Sequence, residues 1–383
     1  MRSTFLFLLV IAVSFMACQK DSTTTTTPTT EQQQVFKEFW DIYDRHYPLM
    51  HRKNINWQQV YDTYYPQITA TTTDTELFNH FKTILMTVVK DGHTDVTYNN
   101  SMQAGYETMP NAEIEQMLSN NTASKVNIVA SSSSNQYLSY GTLVSNSNIG
   151  YINSKRFEPL SDDYDTEFTA FKTIVDQALT ALQGKTGIII DVRTNGGGQG
   201  PFAYYLAGRF LATTSPITIV RQRIKERTGS GLDALSPWKT QNFMGYPDSR
   251  VEGGYTAGVF TDDFALSASG SFQFTNKVAV LTANGTASAA EYFTTAMKTQ
   301  SHVKTIGDKT FGIFAGSDIF TLNKGNGKWK TRVSTHDVEM FYGGSFQSFE
   351  GTGITPDELS IPTAADVSAG KDTHIDAAVI YIN

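Results

Sequence analysis

The sequence contains a single cysteine, Cys18, so the chain cannot form an internal disulfide and must be stabilised by packing. It also lacks a cluster of basic residues, and its formal net charge is −7. A surface that binds nucleic-acid phosphates needs clustered Lys and Arg. We therefore expect no nucleic-acid partner.

Several common site motifs are missing as well. The histidines are scattered singly, with no HExxH or His-x-His pair, so we expect no metal site. The glycine-rich run 196–198 does not continue into a dinucleotide-binding loop, because Pro201 occupies the place of the last glycine. We therefore expect no cofactor. No serine lies in a G-x-S-x-G elbow, which argues against an α/β-hydrolase.

A short apolar run covers residues 5–15 and follows Arg2. About 11 residues are too few to cross the hydrocarbon core of a bilayer as a helix, so this run is typical of an export signal. Residues 15–18 (FMAC) resemble a bacterial lipobox, with Phe in place of the usual Leu. We predict a signal peptide over 1–17, lipidation of Cys18 and a location in the periplasm or on the outer membrane. An ordinary cleaved secretory signal is the alternative.

The rest of the chain divides by composition. Residues 18–31 are rich in Ser and Thr and predict a solvated tether. Apolar residues at three- and four-residue spacing predict an N-terminal helical domain over 32–110. Residues 111–145 are weakly patterned and are interpreted as a connector, and 146–383 alternate strands with helices, as in an α/β core. Within that core, 222–275 form either a functional loop region or a decorative insertion.

Two turns in the predicted core suit negative charge. After a buried strand ending in Asp191, successive glycines at 196–198 let backbone amides converge on an anion or a developing oxyanion. Asp191 and Arg193 are expected to close the strand end as a charge pair. Ser288 lies between a strand and a helix, where the helix dipole favours a negatively charged oxygen. Simple capping of that helix is the alternative role for Ser288.

Four motifs follow one another along the chain: DGHT at 91–94, DVRTNGGG at 191–198, ANGTASAAE at 283–291 and GTGITPD at 351–357. In this order they resemble the tail-specific (C-terminal processing) peptidase family. The resemblance is closer to the branch that contains the tricorn core protease and the interphotoreceptor retinoid-binding protein. It implies a crotonase-like α/β core with a small N-terminal helical bundle, and a peptide or protein as substrate.

The resemblance also implies roles for residues of the core. The family's nucleophile falls on Ser288. Its oxyanion amides fall on the glycine turn, at Gly197 with Gly198 as the alternative, and on Ala289 directly after the nucleophile.

The general base distinguishes the branches of this family. Ser-Lys members carry a lysine where this chain has Ile313, and an aliphatic side chain cannot accept a proton. The tricorn-like branch uses a histidine that falls on His93, oriented by a glutamate that falls on Glu350. This chain has Gly92 where that branch carries a serine before the histidine.

The resemblance thus predicts a serine-type peptidase, specifically an endopeptidase that works through an acyl-enzyme. A catalytically inactive protein that binds a hydrophobic ligand or a peptide on the same scaffold is the main alternative, since a fold does not dictate activity. An inactive surface scaffold is a further possibility, if residues 222–275 form an aromatic platform with Trp238, Phe243 and Tyr246.

Overall fold

The structure is a computed structural model that describes residues 29–225, 235–244, 259–263 and 265–383. The predicted signal peptide, Cys18, most of the predicted tether and Tyr246 lie outside the described residues. Within these ranges, no helix combines the length and apolar character needed to cross a membrane.

The helices occur in both halves of the described chain, and short 3₁₀ turns cover Tyr65–Gln67 and Thr122–Lys125. Their bounds are α1 (Glu31–His46), α2 (Trp57–Tyr64), α3 (Asp74–Ile84), α4 (Ala112–Asn120), α5 (Ala130–Ser133), α6 (Tyr164–Leu182), α7 (Gly200–Gly208), α8 (Ala289–Met297), α9 (Ala364–Ser368) and α10 (Thr373–Ile382).

The strands form one large sheet and several small ones. Their bounds are β1 (Asp95–Tyr98), β2 (Met102–Gly105), β3 (Val126–Ile128), β4 (Leu138–Leu143), β5 (Ile149–Ser154), β6 (Gly187–Asp191), β7 (Ile217–Thr218), β8 (Val220–Arg223), β9 (Gln241–Met244), β10 (Val259–Asp263), β11 (Ala265–Leu266), β12 (Lys277–Thr282), β13 (Val303–Gly307), β14 (Ser317–Thr321), β15 (Trp329–Ser334), β16 (Asp337–Tyr342), β17 (Ser345–Gln347) and β18 (Glu358–Leu359).

The central sheet has seven strands in the order β18-β13-β12-β6-β5-β4-β3. The five strands from β18 to β5 are parallel, and β4 and β3 add antiparallel pairs at one edge. On β6, Ile188 and Ile190 join the core cluster that includes α6, α7 and α8, whereas Ile189 joins the cluster that includes α10. Because both faces are covered, β6 is a continuous apolar run, as predicted.

The N-terminal lobe has an aromatic core built by α1, α2 and α3, in which Phe36 and Phe39 stack on Phe81. It is not purely helical. Strands β1 and β2 form a four-stranded sheet with β14 and β15, and Trp329 of β15 packs edge-on against Phe81 at 5.4 Å. Residues from far along the chain therefore complete this lobe, and a boundary near residue 146 does not separate it from the core.

The interpretation of 111–145 as a connector is wrong. This stretch contains α4 and supplies β3 and β4 to the central sheet. Its apolar pattern is weak because β4 buries small and polar residues such as Ser139 and Gly141. A Cβ at Gly141 would lie 1.9 Å from the carbonyl oxygen of Asn127, so the close strand approach requires glycine there.

Helix α3 is followed by an irregular segment that leads to His93. Helix α3 passes into a π turn over Leu85–Val89. Lys90 follows in the left-handed conformation, with φ 48° and ψ 55°, and its N–H donates to the carbonyl of Leu85 at 2.8 Å. Such π turns are frequent at functional sites, and this one ends four residues before His93.

Candidate active site

Ser288 lies at the carboxyl edge of the central sheet, between β12 and α8. Its φ of 54° and ψ of −120° are strained for a residue with a Cβ. The ordinary capping residues Thr30 and Thr73 have extended torsions instead. Strain on a strand-to-helix turn is the geometry that exposes a nucleophilic serine in hydrolases. The backbone of Ser288 thus differs from that of these two N-cap residues, although Ser288 is itself the N-cap of α8.

The glycine turn after β6 lies directly against Ser288. A Cβ at Gly197 would be 2.7 Å from the Ser288 Cβ and 2.9 Å from the Ala289 nitrogen, so only glycine fits. The N–H of Ala287 donates to the carbonyl of Asn195 at 3.1 Å and ties the two turns together. The contact follows from topology, because β6 and β12 are adjacent parallel strands that end at the same edge.

The amides of the glycine turn are not equivalent. The N–H of Gly197 donates to the Asn195 side-chain oxygen at 2.9 Å, so this amide already has an acceptor. Among the described residues, the amides of Gly198 and Ala289 donate to no acceptor. An oxyanion needs donors that are free before it forms, and these two amides meet that condition.

His93 is buried, and its backbone N–H donates to the Asp91 carboxylate at 2.8 Å. Burial, together with repulsion from the Arg332 guanidinium, lowers the pKa of His93 to about 4. The imidazole is therefore neutral at pH 7 and able to accept a proton. Its Nδ1 is buried and has no hydrogen-bond partner in the described part of the chain.

One carboxylate oxygen of Glu350 accepts hydrogen bonds, and the other has no partner in the described ranges. Its Oε2 accepts the N–H groups of Phe314 at 2.8 Å and Ala315 at 3.1 Å. Its Oε1 is buried without a partner in the described ranges. Burial, together with the nearby Asp91 carboxylate, raises the pKa of Glu350 to about 8. The backbone of Ala315 also interacts with the His93 ring, so Glu350 and His93 share a neighbour.

The sequence interpretation missed Glu291, which is completely buried on α8. Its carboxylate accepts the Ser288 N–H at 3.0 Å, the Thr310 hydroxyl at 2.5 Å, and the N–H groups of Gly312 at 2.7 Å and Ile313 at 2.9 Å. Burial nevertheless raises the pKa of Glu291 to about 7. The Ser-x-x-Glu spacing of a capping box was the available signal.

The segment 310–315 brings the motifs together. Through Glu291 it contacts the Ser288 turn, and the Phe311 N–H also donates to the carbonyl of Thr286 at 2.9 Å. A Cβ at Gly92 would lie 2.6 Å from the Phe311 ring, which explains why this chain has no serine before His93. The same segment carries the amides that hold Glu350.

Asp191 and Arg193 form the predicted charge pair, at 2.6 Å, and Asp372, the N-cap residue of α10, completes it at 3.0 Å. The Tyr151 hydroxyl donates to Asp191 and the Thr122 hydroxyl donates to Asp372. Every carboxylate oxygen in this group has a partner. The group fixes α10 to the sheet and offers no open atom for chemistry.

A cleft of about 740 Å³ lies beside Glu350 and segment 310–315. Gly92, Ile313 and Glu350 line it, together with residues of α2 and of the turn that follows α3. No group of three His, Cys, Asp or Glu side chains in the described ranges could hold a metal ion.

The long segment 222–275 is described only in part. Trp238 contacts the guanidinium groups of Arg221 at 4.6 Å and Arg223 at 4.3 Å, measured to the ring centroid, and that of Arg52 at 5.8 Å. Its ring is thus partnered by the protein itself. These contacts do not place Trp238 in an open aromatic platform.

A strained serine, adjacent open amides and a buried neutral histidine define the class of serine hydrolases. The sequence pattern of peptidase family S41 matches residues 148–360, more than half of the chain, and that of the tricorn protease C1 domain matches residues 28–85. The chain therefore belongs to peptidase family S41 and is a serine-type peptidase, with the crotonase-like α/β fold of that family. The resemblance to C-terminal processing peptidases is confirmed.

Solved structures share this fold. A crystal structure of a peptidase from Parabacteroides merdae ATCC 43184 is similar with 24% identity and a TM-score of 0.70, over 93% of this chain and 97% of that one. Mature CPAF in complex with lactacystin has 9% identity and a TM-score of 0.55, over 92% and 98%. A lipoprotein from Streptococcus agalactiae has 14% identity and a TM-score of 0.52, over 90% and 96%. No protein with a curated description matches the chain.

Proposed function

We propose that this serine peptidase is an endopeptidase that acts outside the cytoplasm through Ser288, His93 and Glu350. The observation that supports this assignment best is the contact pattern of segment 310–315. Its amides reach Glu291, which holds the Ser288 turn, and Glu350, while its Phe311 ring packs against Gly92 beside His93. One short segment therefore links the nucleophile, the base and the base's carboxylate.

The expected reaction proceeds through an acyl-enzyme. Ser288 Oγ attacks the scissile carbonyl carbon, and His93 accepts the hydroxyl proton. The amides of Gly198 and Ala289 stabilise the oxyanion, because neither has another acceptor. His93 then donates its proton to the leaving amine, and a water molecule activated by His93 hydrolyses the ester.

Glu350 is assigned to orienting His93. Its Oε1 and the His93 Nδ1 are both buried and both lack a partner among the described residues. A carboxylate that accepts the second ring N–H fixes the tautomer and stabilises the imidazolium as it forms. Gly197 is assigned to shaping the turn, since Asn195 already accepts its amide.

The location is proposed from the sequence alone. The apolar run 5–15 and the lipobox-like residues before Cys18 suit export followed by lipidation. A cell expressing the full chain should incorporate labelled palmitate into it, and the Cys18→Ala variant should not. Equal labelling of both would contradict lipidation at this residue, and an unlabelled exported protein would support an ordinary secretory signal.

The activity is tested with a fluorophosphonate probe, which reacts with activated serines. Wild type should be labelled, and Ser288→Ala and His93→Ala should not. Labelling that survives loss of Ser288 would reject the nucleophile, and labelling that survives loss of His93 would identify another base. An internally quenched peptide blocked at both ends separates an endopeptidase, which cleaves it, from an exopeptidase. A folded wild type that neither reacts nor cleaves would support the ligand-binding alternative.

A further inference from the structure

The cleft lined by Glu350 also reaches residues that contact the Ser288 turn. Its wall includes Tyr106 and Thr108, and the Thr108 hydroxyl donates to the Asn284 side chain of the nucleophile turn at 2.7 Å. From there the cleft extends to Lys53 and Lys90. A peptide that binds at Ser288 can therefore extend into this cleft.

The charge of the cleft is unbalanced. Among the described residues that line it, the charged types are Lys53, Lys90 and Glu350. Glu350 Oε2 accepts two backbone amides, its Oε1 has no hydrogen-bond partner in the described ranges, and the charge of Lys53 acts on this carboxyl group. Neither ammonium group lies within 4 Å of a carboxylate in the described part of the chain. The whole protein has a net charge of −7, so the local sign of the cleft is opposite to that of the molecule.

Lys90 is also held in place. Its backbone is left-handed, a conformation that at helix ends is usually adopted by glycine. The Lys53 ammonium donates to the Lys90 carbonyl at 2.9 Å, which keeps the two residues together. Residues with a strained backbone cluster at functional sites, so the side chain of Lys90 is a candidate for binding a ligand in the cleft.

We propose that Lys53 and Lys90 bind a carboxylate of the substrate, so that the peptidase prefers segments with an acidic residue near the scissile bond. This inference rests on the proposed function, because it assumes that the cleft holds a peptide. An ammonium pair recognises any carboxylate, so either an acidic side chain or the free carboxyl end of a chain satisfies the chemistry. Both sources must be compared directly.

Binding is measured in the Ser288→Ala variant of the full chain, so that no substrate is consumed. The probes are fluorescent peptides blocked at both ends, neutral except for one Glu moved along the sequence, each paired with its Gln counterpart. We expect at least one Glu peptide to bind about threefold tighter than its Gln partner, as for a partly exposed ion pair. The preference should shrink between low and high salt.

Adding Lys90→Gln to this background should abolish the preference for Glu. Lys82→Gln provides the matched control, because Lys82 is an exposed lysine of the preceding helix α3 and lies outside the cleft, and it should keep the preference. Lys90→Gly should lose the preference while unfolding at a higher temperature, since glycine relieves the positive φ. This separates loss of recognition from loss of folding.

A neutral peptide with a free carboxyl terminus is compared with its amide. Tighter binding of that peptide alone, again dependent on Lys90, would assign the pair to a chain terminus. The proposal is overturned if no carboxylate improves binding, if the preference survives Lys90→Gln, or if none of the peptides binds at millimolar concentration. Labelling of Ser288 by the fluorophosphonate does not depend on this cleft, so the proposed function is judged separately.

Discussion

Two buried clusters of charged residues differ in how completely they are paired. In the closed cluster, Asp191, Arg193 and Asp372 satisfy one another with help from tyrosine and threonine hydroxyls. In the open cluster, made of Asp91, His93 and Glu350, His93 Nδ1 and Glu350 Oε1 have no partner in the described chain. Asp91 and His93 are buried like the members of the closed cluster, so completeness of pairing is what separates the two clusters.

The two clusters also differ in the direction in which the pKa values of their carboxyl groups are shifted. Burial opposes ionisation of Asp372, but the charge of Arg193 holds the pKa of this carboxyl below its ordinary value. In the open cluster burial prevails, and both His93 and Glu350 favour their neutral forms near pH 7. The closed cluster therefore stabilises the fold, whereas the open one retains groups that can exchange protons.

The largest expected effect comes from removing the base. His93→Ala should lower kcat/KM by about 10³-fold or more, because Ser288 loses its proton acceptor. Hydrolysis of a quenched peptide measures this. His80→Ala, in the same lobe but outside the site, should change kcat/KM by less than about threefold. A His93→Ala variant that keeps a tenth of the activity would contradict the assignment.

Breaking the closed cluster should affect folding instead. Asp372→Ala leaves Arg193 with an incompletely balanced buried charge, so the free energy of unfolding should fall by about 3–5 kcal/mol. Urea titration measures this loss, with Asp376→Ala in the first turn of α10 as the control. A large fall in kcat/KM at unchanged stability would mean that the two clusters have been assigned the wrong way round.

Glu350→Gln tests the orienting carboxylate, with an expected loss of about 10²-fold in kcat/KM at pH 8.5. Glu350 is protonated below its raised pKa and then cannot accept the His93 N–H. Wild-type kcat/KM should therefore rise as the pH increases through about 8. The variant should lack this rise, and an identical pH profile in both proteins would remove Glu350 from the mechanism.

Glu291→Gln should have a smaller effect on both activity and stability. The side-chain NH2 of Gln would face some of the N–H and O–H groups whose hydrogen bonds the carboxylate now accepts. The loss of these hydrogen bonds should lower the free energy of unfolding by about 1–3 kcal/mol. We expect kcat to fall about tenfold while KM changes little, because the Ser288 turn loses its link to segment 310–313. Glu115→Gln on the exposed face of α4 is the matched control, and equal effects from both would exclude a positioning role.

The smallest expected effect is on the pH dependence of the free energy of unfolding. The folded pKa of Glu350 lies above its unfolded value, so its contribution is complete below about pH 4.5 and is lost as the pH rises through 8. His93 acts in the opposite direction, but only below pH 6.5. Between pH 6.5 and 8 the unfolding free energy should therefore fall by about 1–2 kcal/mol. Glu350→Gln should reduce that slope, and an unchanged slope would exclude this titration.

Sequence reasoning reached the parts that depend on local pattern. The buried run of β6, the helical periodicity of α1 and the four ordered motifs identified the fold and the family. The residues it missed depend on distant contacts. Neither the role of β3 and β4 in the sheet nor the completion of the N-terminal lobe by β14 and β15 leaves a local periodic signal. The anchoring role of Glu291 needs segment 310–313, which lies about 20 residues further along the chain.

The assignment of the Gly197 amide shows the same limit. Motif alignment favoured it as an oxyanion donor, but only the folded chain reveals that Asn195 already accepts its hydrogen. The strained backbone of Ser288 is likewise invisible in sequence. Local chemistry thus indicates a candidate region, and tertiary contacts determine which atoms within it are free.

The most direct test of the central claim is to locate the fluorophosphonate adduct by mass spectrometry of peptides from the labelled protein. We predict a single modified serine, Ser288, formed at least about 10³-fold faster in wild type than in His93→Ala. An adduct on another serine, or equal rates in the two proteins, would contradict the account.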